Sequence, residues 1–284
     1  MDYDPVKDQL GTLFSRWPWL QRLFFSALGA VFLRNWYVRR ALREVMAPRR
    51  NAERVRVLDA GTGFGQYAYW IATHFPNASV VAVDVKPVYL NRARAFIASR
   101  GLSDRVTFAV DDLTDLKQAG PFDVILSVDV MEHIEDDRAV FANFRRVLAE
   151  GGVVIVNTPS DQGGSDVGSG DGASFIGEHV RDGYSVAELT GKLSAAGLDV
   201  FETRYTYGRW GSLAWRMLVK YPIAMLNRSF VFAALLPFYY LPVFPVGMLL
   251  NAMDVARDND RGTGLLVKVR RGVEGEGVRM KDEG

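Results

Sequence analysis

The chain has 284 residues, which is enough for one large α/β domain with additions or for two small domains. Its 34 Lys and Arg residues nearly balance its 33 Asp and Glu residues, so the net charge predicts no nucleic-acid partner. Because the chain has no cysteine, disulfides, thiol catalysis and cysteine-ligated metal sites are excluded.

Residues 1–50 are predicted to form an amphipathic helical extension with a strong positive charge. The polar start, MDYDPVKDQL, is not expected to act as a secretory signal peptide. Between residues 11 and 50, eight arginines and several aromatic residues accompany a single acid, Glu44. The apolar run 23–33 is too short to span a bilayer. Two compatible interpretations stay open: a helix lying among lipid headgroups, and a helix covering a cleft of the next domain.

The stretch VLDAGTGFGQ, residues 57–66, predicts a buried strand, a tight turn and the start of a helix. Glycines at 61, 63 and 65 permit positive φ and let the main chain approach a ligand closely. The helix expected over residues 64–75 directs its free N–H groups to the same place. The spacing departs from the dinucleotide fingerprint, because Gln66 stands where that fingerprint has its third glycine.

Strands and helices are predicted to alternate after this turn. Strands are expected at residues 79–84, 105–110, 122–127, 153–157, 198–207 and 264–270, with helices at 87–100 and about 136–148 between them. This order predicts a doubly wound, seven-stranded, mostly parallel sheet. Asp84 ends the second strand 19 residues after Gly65, close to the spacing at which an acid meets ribose hydroxyls in a βαβ unit.

Taken together, these motifs resemble the class I S-adenosylmethionine-dependent methyltransferases, in particular the type 11 and ubiquinone-biosynthesis O-methyltransferases. The matching segments are LDAGTGFG, the acid at Asp84, the pair Asp111 and Asp112, FDVILSVDVMEHIED and VLAEGGVVIVNTP. The resemblance covers residues 54–200 and the final strand, and it implies a Rossmann-like fold with S-adenosyl-L-methionine as cofactor. The cofactor-binding residues that it implies are Asp59, Gly61, Gly63, Gly65, Asp84, Asp111, Asp112, Leu113 and Val128.

The acids in this set have individual roles in the family's pattern. Asp59 would orient the glycine loop and the cofactor's amino group, and Asp84 would accept hydrogen bonds from both ribose hydroxyls. Asp112 would contact the adenine, with Leu113 beside the ring, and Asp111 is the alternative for that role. The alternative for Asp84 and Asp112 is purely structural, as strand-end acids that cap the next helix.

The segment DVMEH, residues 129–133, resembles the E-x-x-E-H segment of the ubiquinone O-methyltransferases, with Asp129 as a conservative departure. On one helical turn, Asp129, Glu132 and His133 would share a face and could bind a divalent metal such as Mg²⁺ or a substrate hydroxyl. His133 and Glu132 are also candidates for the catalytic base. The remaining alternative is that the segment only packs near the cofactor.

Two further histidines receive different interpretations. His74 ends the first helix, where an imidazole favourably meets the helix C-terminus, so a structural role is expected. His179 precedes a capping box of Ser185 and Glu188 that marks a helix start, and it is a candidate base or phosphate anchor, or simply a loop histidine. The glycine-rich residues 161–174 before it are predicted to form a lid over the cleft.

Residues 208–262 form an apolar insertion before the last strand. Residues 229–253 contain no charge and are long enough for a membrane span, but Pro237, Pro242 and Pro245 disfavour one straight helix. Because the chain must return to the sheet, a helical hairpin or kinked pair dipping into one leaflet is expected. The aromatic and cationic residues that flank this run are of the kinds found at the interface between a membrane and water. The alternative is an apolar cap on the sheet edge or a dimer interface.

The predicted organisation is an extension (1–50), a methyltransferase core (51–207), the insertion (208–262), a final strand (263–271) and a disordered tail (272–284). We expect methyl transfer to a lipophilic acceptor such as a lipid, quinone or pigment precursor, at the cytoplasmic face of the inner membrane, with a possible homodimer. One alternative is a soluble enzyme of a small metabolite that uses its apolar segments to dimerise. The other is a membrane-associated protein that binds the cofactor without turnover.

Overall fold

The computed structural model describes residues 29–163 and 180–272. Seven strands within these ranges pair into one sheet. In chain order the strands are β1 Val55–Ala60, β2 Ala78–Asp84, β3 Val106–Val110, β4 Phe122–Val128, β5 Leu148–Pro159, β6 Leu198–Thr206 and β7 Gly264–Arg271.

The order of strands across the sheet is β3-β2-β1-β4-β5-β7-β6. All neighbouring strands are parallel except that β7 runs antiparallel to both β5 and β6. This confirms the predicted seven-stranded, mostly parallel, doubly wound sheet. The strand order reverses between β1 and β4, and ligands bind in the crevice at that point in open α/β sheets.

The strand β5 is longer than predicted. Gly151 and Gly152 were expected to end a helix before a strand at residues 153–157. Instead α4, defined below, ends before Leu148, and both glycines lie inside the strand, where the pairing with β4 shifts register. Gly151 adopts a φ of 70°, a conformation that suits glycine and lets the strand bulge rather than break.

Helices cover both faces of the sheet. The helices of the core are α1 Leu33–Met46, α2 Gln66–His74, α3 Pro87–Ser99, α4 Asp137–Val147 and α5 Val186–Ala195. The first three share a buried apolar cluster on one face of the sheet, and the last two share a cluster on the other. The predicted capping box forms in part, because Ser185 Oγ accepts a hydrogen bond of 3.1 Å from the Glu188 N–H.

The helix α1 packs on the core instead of offering an apolar face to solvent. Leu33, Val38 and Leu42 on this helix are almost completely buried against the sheet and α2. Helix α1 therefore matches the covering helix, one of the two interpretations of the basic extension. Residues 1–28 lie outside the described part of the chain.

The apolar insertion folds into a helical hairpin. Its first arm comprises α6 Arg209–Trp215, a π-helical turn Arg216–Lys220 and α7 Tyr221–Arg228. A 3₁₀ turn, Phe230–Ala234, leads into the second arm, α8 Leu236–Val255.

The two internal prolines do not end the second arm. Pro237 lies in the first turn of the 20-residue α8, and Pro242 and Pro245 lie inside it, so these prolines leave α8 continuous. Each proline removes one backbone hydrogen bond, but contacts with the first arm hold the helix in place. The hydroxyls of Tyr239 and Tyr240 donate to carbonyls of the π-helical turn at 2.8 and 2.7 Å.

A buried carboxylate joins the hairpin to the core. Asp254, near the end of α8, is fully buried and accepts hydrogen bonds of 2.9 Å from the Tyr37 hydroxyl and from the Gly211 N–H. It also accepts from the Gly208 N–H at 3.3 Å. Because Gly208 has no side chain with which to cap α6, Asp254 supplies the cap from the other arm. The base of the hairpin is thereby fixed to α1.

Candidate functional site

The glycine turn after β1 has the geometry that its sequence predicts. Gly61, Gly63 and Gly65 have φ values of 81°, 53° and 77°. A Cβ atom at Gly61 would overlap Val130 in addition to straining the backbone, so only glycine fits there. The helix α2 begins at Gln66, two residues later than predicted, because Gly65 is left-handed and acts as its N-cap.

Asp59 holds this turn in shape. The side chain is buried, and its Oδ2 accepts hydrogen bonds from Thr62 Oγ1 at 2.6 Å and from the Ala68 N–H at 3.1 Å. These contacts connect the end of β1, the turn and the first turn of α2. They agree with the expected part of Asp59 in orienting the loop.

Asp84 lies on the other side of the turn, at the end of β2. Its two carboxylate oxygens accept hydrogen bonds of 2.9 Å from the N–H groups of Gly63 and Lys86. Since each oxygen has a second lone pair, the carboxylate retains two acceptor positions for a ligand. The side chain is only half-buried, so these positions are accessible for ribose hydroxyls.

The neighbouring acids Asp111 and Asp112 have different environments. Asp111 is buried, and its carboxylate accepts from the backbone N–H groups of Lys117 and Gln118 at 3.1 Å. Asp112 is exposed at the sheet edge and caps the short 3₁₀ helix that follows it. This arrangement favours Asp112 for the adenine contact. Leu113 is buried in the core cluster instead of lying open beside the cleft.

The remaining predicted cofactor residue, Val128, ends β4 directly beside β1. It is half-buried and packs against the same apolar cluster as α1 and α2. Together, the glycine turn, the Asp84 carboxylate and the exposed Asp112 fit S-adenosyl-L-methionine. They offer a close backbone approach and two accessible carboxylates at the carboxyl ends of neighbouring strands, where a ribose and an adenine would bind.

The expected metal ligands do not converge, and this corrects the metal prediction. Asp129, Glu132 and His133 were placed on one helical face, but the 3₁₀ helix begins only at Met131. Asp129 precedes it with a left-handed φ of 51°, which turns its side chain towards Arg34. Within residues 29–163 and 180–272, no three His, Asp or Glu side chains form a group that could bind an ion.

The candidate bases differ strongly in exposure. Glu132 is 1% exposed, its Oε2 accepts from Thr158 Oγ1 at 3.1 Å, and burial raises the pKa of its carboxyl. His133 is exposed at the end of the same 3₁₀ helix. His179 and residues 164–174 of the predicted lid lie outside the described residues. His74 is placed as expected, with Nδ1 2.9 Å from the Trp70 carbonyl oxygen.

The structure shows contacts of α1 that sequence reasoning missed, formed by Arg34, Asp129 and Tyr207, and we call these three residues the roof of the crevice. Arg34, in the first turn of α1, forms an ion pair with Asp129 at the end of β4. The backbone N–H of Arg34 also donates to the Tyr207 hydroxyl at 3.1 Å. Asp129 and Tyr207 are the described non-glycine residues with positive φ, and such strain concentrates at functional sites. Backbone strain of this kind leaves no mark in composition or periodicity.

A second set of polar contacts connects the roof to the glycine turn. Asn35 Oδ1 accepts hydrogen bonds from Tyr67 Oη at 2.7 Å and from Gln66 Nε2 at 3.1 Å. Asn35 is 1% exposed, although it lies in a helix with many basic residues. A lone asparagine on the otherwise apolar face of α1 was the available sequence signal for this contact.

Burial gives Asp59 a pH-dependent effect on stability. It raises the pKa of Asp59 to about 6, above its ordinary value near 4, with hydrogen bonds from Thr62 and Ala68 opposing the shift. The protonated carboxyl therefore stabilises the folded state relative to the ionised form. This contribution to the free energy of unfolding is present below about pH 4 and is lost as the pH rises through about 6.

For the ligand-free protein, we expect the free energy of unfolding of wild type relative to Asp59→Asn to fall by about 2 kcal/mol between pH 4 and 7. Urea unfolding of both proteins across this range measures the difference. Because all other titrating groups are shared, the comparison isolates Asp59. A difference that does not change with pH would contradict the raised pKa.

Comparison with known proteins agrees with this geometry. Residues 57–152 match the model of a methyltransferase domain. Tocopherol O-methyltransferase from Arabidopsis thaliana is 31% identical over 104 residues, which are 36% of this chain and 30% of that protein. Ubiquinone biosynthesis O-methyltransferase from Xanthomonas axonopodis is 28% identical over 166 residues, 55% of this chain and 68% of that protein. The chain therefore spans under a third of its tocopherol-methylating relative.

Solved structures share the fold at low identity. The phosphoethanolamine N-methyltransferase 2 of Haemonchus contortus in complex with S-adenosyl-L-methionine has a TM-score of 0.53 and 20% identity, covering 82% of this chain and 53% of that one. The [4+2]-cyclase SpnF has a TM-score of 0.56 and 21% identity, covering 82% and 81%. The fold thus serves more than one reaction. The glycine turn, Asp84 and the matched domain model show that the chain carries a methyltransferase domain of the class I S-adenosylmethionine-dependent family.

Proposed function

We propose that this protein transfers a methyl group from S-adenosyl-L-methionine to a lipophilic acceptor while it is docked on a membrane surface. The observation that carries the proposal is the apolar hairpin beside the cofactor crevice. Val231, Phe238 and Leu241 near its tip expose 78%, 75% and 80% of their surface. Large apolar side chains exposed in one contiguous region mark an interaction surface.

The dimensions and charges of the hairpin favour a lipid surface as its partner. Of the described helices, Leu236–Val255 is the one whose length and apolar composition would allow it to cross a membrane, with a mean hydropathy of 1.3. Both ends of the hairpin nevertheless return to the sheet, so shallow insertion into one leaflet fits the topology. Arg209, Arg216 and Lys220 on the first arm match the anionic headgroups of the cytoplasmic leaflet.

The roof connects the proposed membrane contact to the crevice. Tyr207, whose hydroxyl contacts Arg34, is followed by Gly208, the residue at which the hairpin begins. A lipophilic acceptor that leaves the bilayer along the hairpin would arrive under α1, at the Arg34–Asp129 ion pair. This route lets the acceptor enter the crevice without crossing bulk water.

The chain's own residues would align the acceptor and exclude water. When bound, S-adenosyl-L-methionine supplies a methyl group activated by its sulfonium. Asp84 and Asp112 would hold the nucleoside, and the Arg34–Asp129 pair would close the crevice above the acceptor, since alignment supplies much of the rate in such a transfer. If the acceptor must lose a proton, Glu132, His133 and His179 are the candidate bases. Burial raises the pKa of the Glu132 carboxyl, so its carboxylate is a stronger base than an exposed glutamate.

Methyl-labelled S-adenosyl-L-methionine incubated with total membrane lipid from a bacterial inner membrane tests the proposal. We expect the label to enter the organic phase in the presence of wild type, and mass spectrometry identifies the product. The Asp84→Ala variant is the control for cofactor-dependent transfer. Label that appears only in water-soluble metabolites would favour the soluble enzyme, in which the hairpin serves a dimer. No transfer to either phase would favour a binding protein without turnover.

A further inference from the structure

A basic cavity lies outside the cofactor crevice, between α1, α2 and the end of α3. Its volume is about 840 Å³. The charged side chains that line it are all basic, with aromatic rings between them. The lining includes Arg39, Arg40, Arg43, Arg100, His74 and Trp70. We refer to this feature as the arginine cavity.

Most of the positive charge in the arginine cavity has no acidic counterpart. Arg40 forms an ion pair with Glu44 at 2.9 Å. Within residues 29–163 and 180–272, no carboxylate lies within ion-pair distance of Arg39, Arg43 or Arg100. Nε of Arg39 is also buried without a hydrogen-bond partner. The cavity therefore has an excess of half-buried and exposed cationic donors, and this excess favours an anion.

The arginines of the cavity are held in fixed positions by an aromatic ring. The guanidinium groups of Arg39 and Arg43 lie 5.5 and 5.4 Å from the centre of the Trp70 ring. Trp70 is itself buried and stacks on His74 with ring centres 4.4 Å apart. Guanidinium groups held in this way lose little entropy when they bind, and their planar forks match the oxygens of a phosphate.

The position of the arginine cavity relative to the hairpin identifies the source of the anion. Val255, the last residue of α8, lines the cavity, and its carbonyl accepts a hydrogen bond from Arg40 at 2.6 Å. Leu249, exposed and apolar, precedes Val255 by six residues, a rise of about 9 Å along the helix. The headgroup layer begins at the edge of the hydrocarbon and is about 5–8 Å thick on each side. In the shallow docking proposed above the hairpin lies oblique to the membrane, so this 9 Å rise spans less than the thickness of the headgroup layer. A hairpin docked as far as Leu249 then places the cavity beside the lipid phosphates.

We propose that the arginine cavity is a binding site for the phosphate group of an anionic phospholipid headgroup. The inference deepens the proposed function, because it rests on docking of the hairpin in a membrane, but it does not depend on methyl transfer. The apolar hairpin supplies adhesion to any bilayer. The cavity makes that adhesion selective for anionic lipid and sets the depth at which the enzyme sits.

Cosedimentation with phosphatidylcholine vesicles, with and without phosphatidylglycerol, tests the site. The variant is Arg43→Gln with Arg100→Gln, two exposed arginines of the cavity. Because each arginine near an anionic surface strengthens binding about fivefold, we expect partitioning to anionic vesicles to weaken about 25-fold. Partitioning to neutral vesicles and the affinity for S-adenosyl-L-methionine should stay at wild-type values. The matched control, Arg138→Gln with Arg270→Gln, removes the same charge from exposed positions outside the cavity and should bind like wild type.

Soluble ligands separate a lipid site from a site for free phosphate. The intrinsic tryptophan fluorescence, to which Trp36 and Trp70 in the cavity contribute, can be titrated with dihexanoyl phosphatidylglycerol below its micelle concentration and, separately, with inorganic phosphate. Tighter binding of the short-chain lipid, lost in the Arg43→Gln, Arg100→Gln variant, supports the proposal. Equal or tighter binding of inorganic phosphate would overturn the lipid assignment. Wild-type partitioning of the arginine variant to anionic vesicles would overturn the cavity as a headgroup site while leaving the docking of the hairpin and the methyl-transfer assay intact.

Discussion

The Asp84→Ala variant is expected to bind S-adenosyl-L-methionine about 10- to 150-fold more weakly than wild type. Loss of hydrogen bonds to a charged acceptor costs about 1.5–3 kcal/mol, and here the lost bonds would be those to the ribose hydroxyls. The Gly63 N–H also loses its acceptor, so the glycine turn is less well held. Isothermal titration calorimetry on the folded variant measures the change.

Two further variants separate ligand binding from support of the turn. Asp84→Asn keeps one oxygen that can accept from the Gly63 N–H, so we expect it to hold the glycine turn as wild type does and to regain part of the affinity for the cofactor. Asp199→Ala removes an exposed acid from β6, on the far edge of the sheet, and should bind the cofactor normally. Unchanged affinity in Asp84→Ala would remove Asp84 from the cofactor site.

The Phe238→Ser, Leu241→Ser variant is expected to lose between about 150-fold and about 25,000-fold in partitioning to vesicles. Burial of each such side chain contributes about 1.5–3 kcal/mol, and both are now almost fully exposed. Since no charge changes, the loss should persist in high salt, unlike the loss from arginine substitution. Cosedimentation at low and high salt measures both effects.

The control for this variant is Phe201→Ser with Val180→Ser, which replaces exposed apolar residues outside the hairpin. It should bind vesicles like wild type. If wild type itself stays in the supernatant with anionic vesicles at low salt, the hairpin does not dock on membranes. In that case sedimentation equilibrium should show whether the hairpin serves a dimer.

The sheet could be predicted from sequence because each strand carries its own signal. Buried parallel strands are continuous apolar runs, and the turns between them are marked by glycine, proline or an acid, as at Gly65 and Asp84. The extent of β5 was missed because Gly151 can either end a helix or form a bulge. Pairing with β4 decides between these alternatives, and that contact is not local.

The position of Asp59 and Asp84 beside the glycine turn could be predicted for the same reason, whereas the ion pair of Arg34 with Asp129 and the contacts of Asp254 could not. Asp59 and Asp84 lie next to the glycine turn in a recurrent βαβ arrangement. The ion pair of Arg34 with Asp129 joins residues 95 positions apart. It also requires a left-handed φ at Asp129, which the sequence does not predict. The metal prediction failed at the same point, since it assumed that a helix already included Asp129.

Asp254 connects the hairpin to α1, the helix that carries Arg34 of the roof, through buried hydrogen bonds. It binds the start of α6, and it binds Tyr37, which lies one helical turn after Arg34 on α1. Forces on the hairpin are therefore transmitted to α1 through buried hydrogen bonds rather than through a flexible linker. Docking that shifts the position of α1 would change the affinity for a ligand bound under α1. Because such coupling is reciprocal, a ligand whose binding is strengthened by docking strengthens docking by the same factor. An enzyme built in this way would stay on the bilayer while it is loaded and leave it more readily once its product has gone.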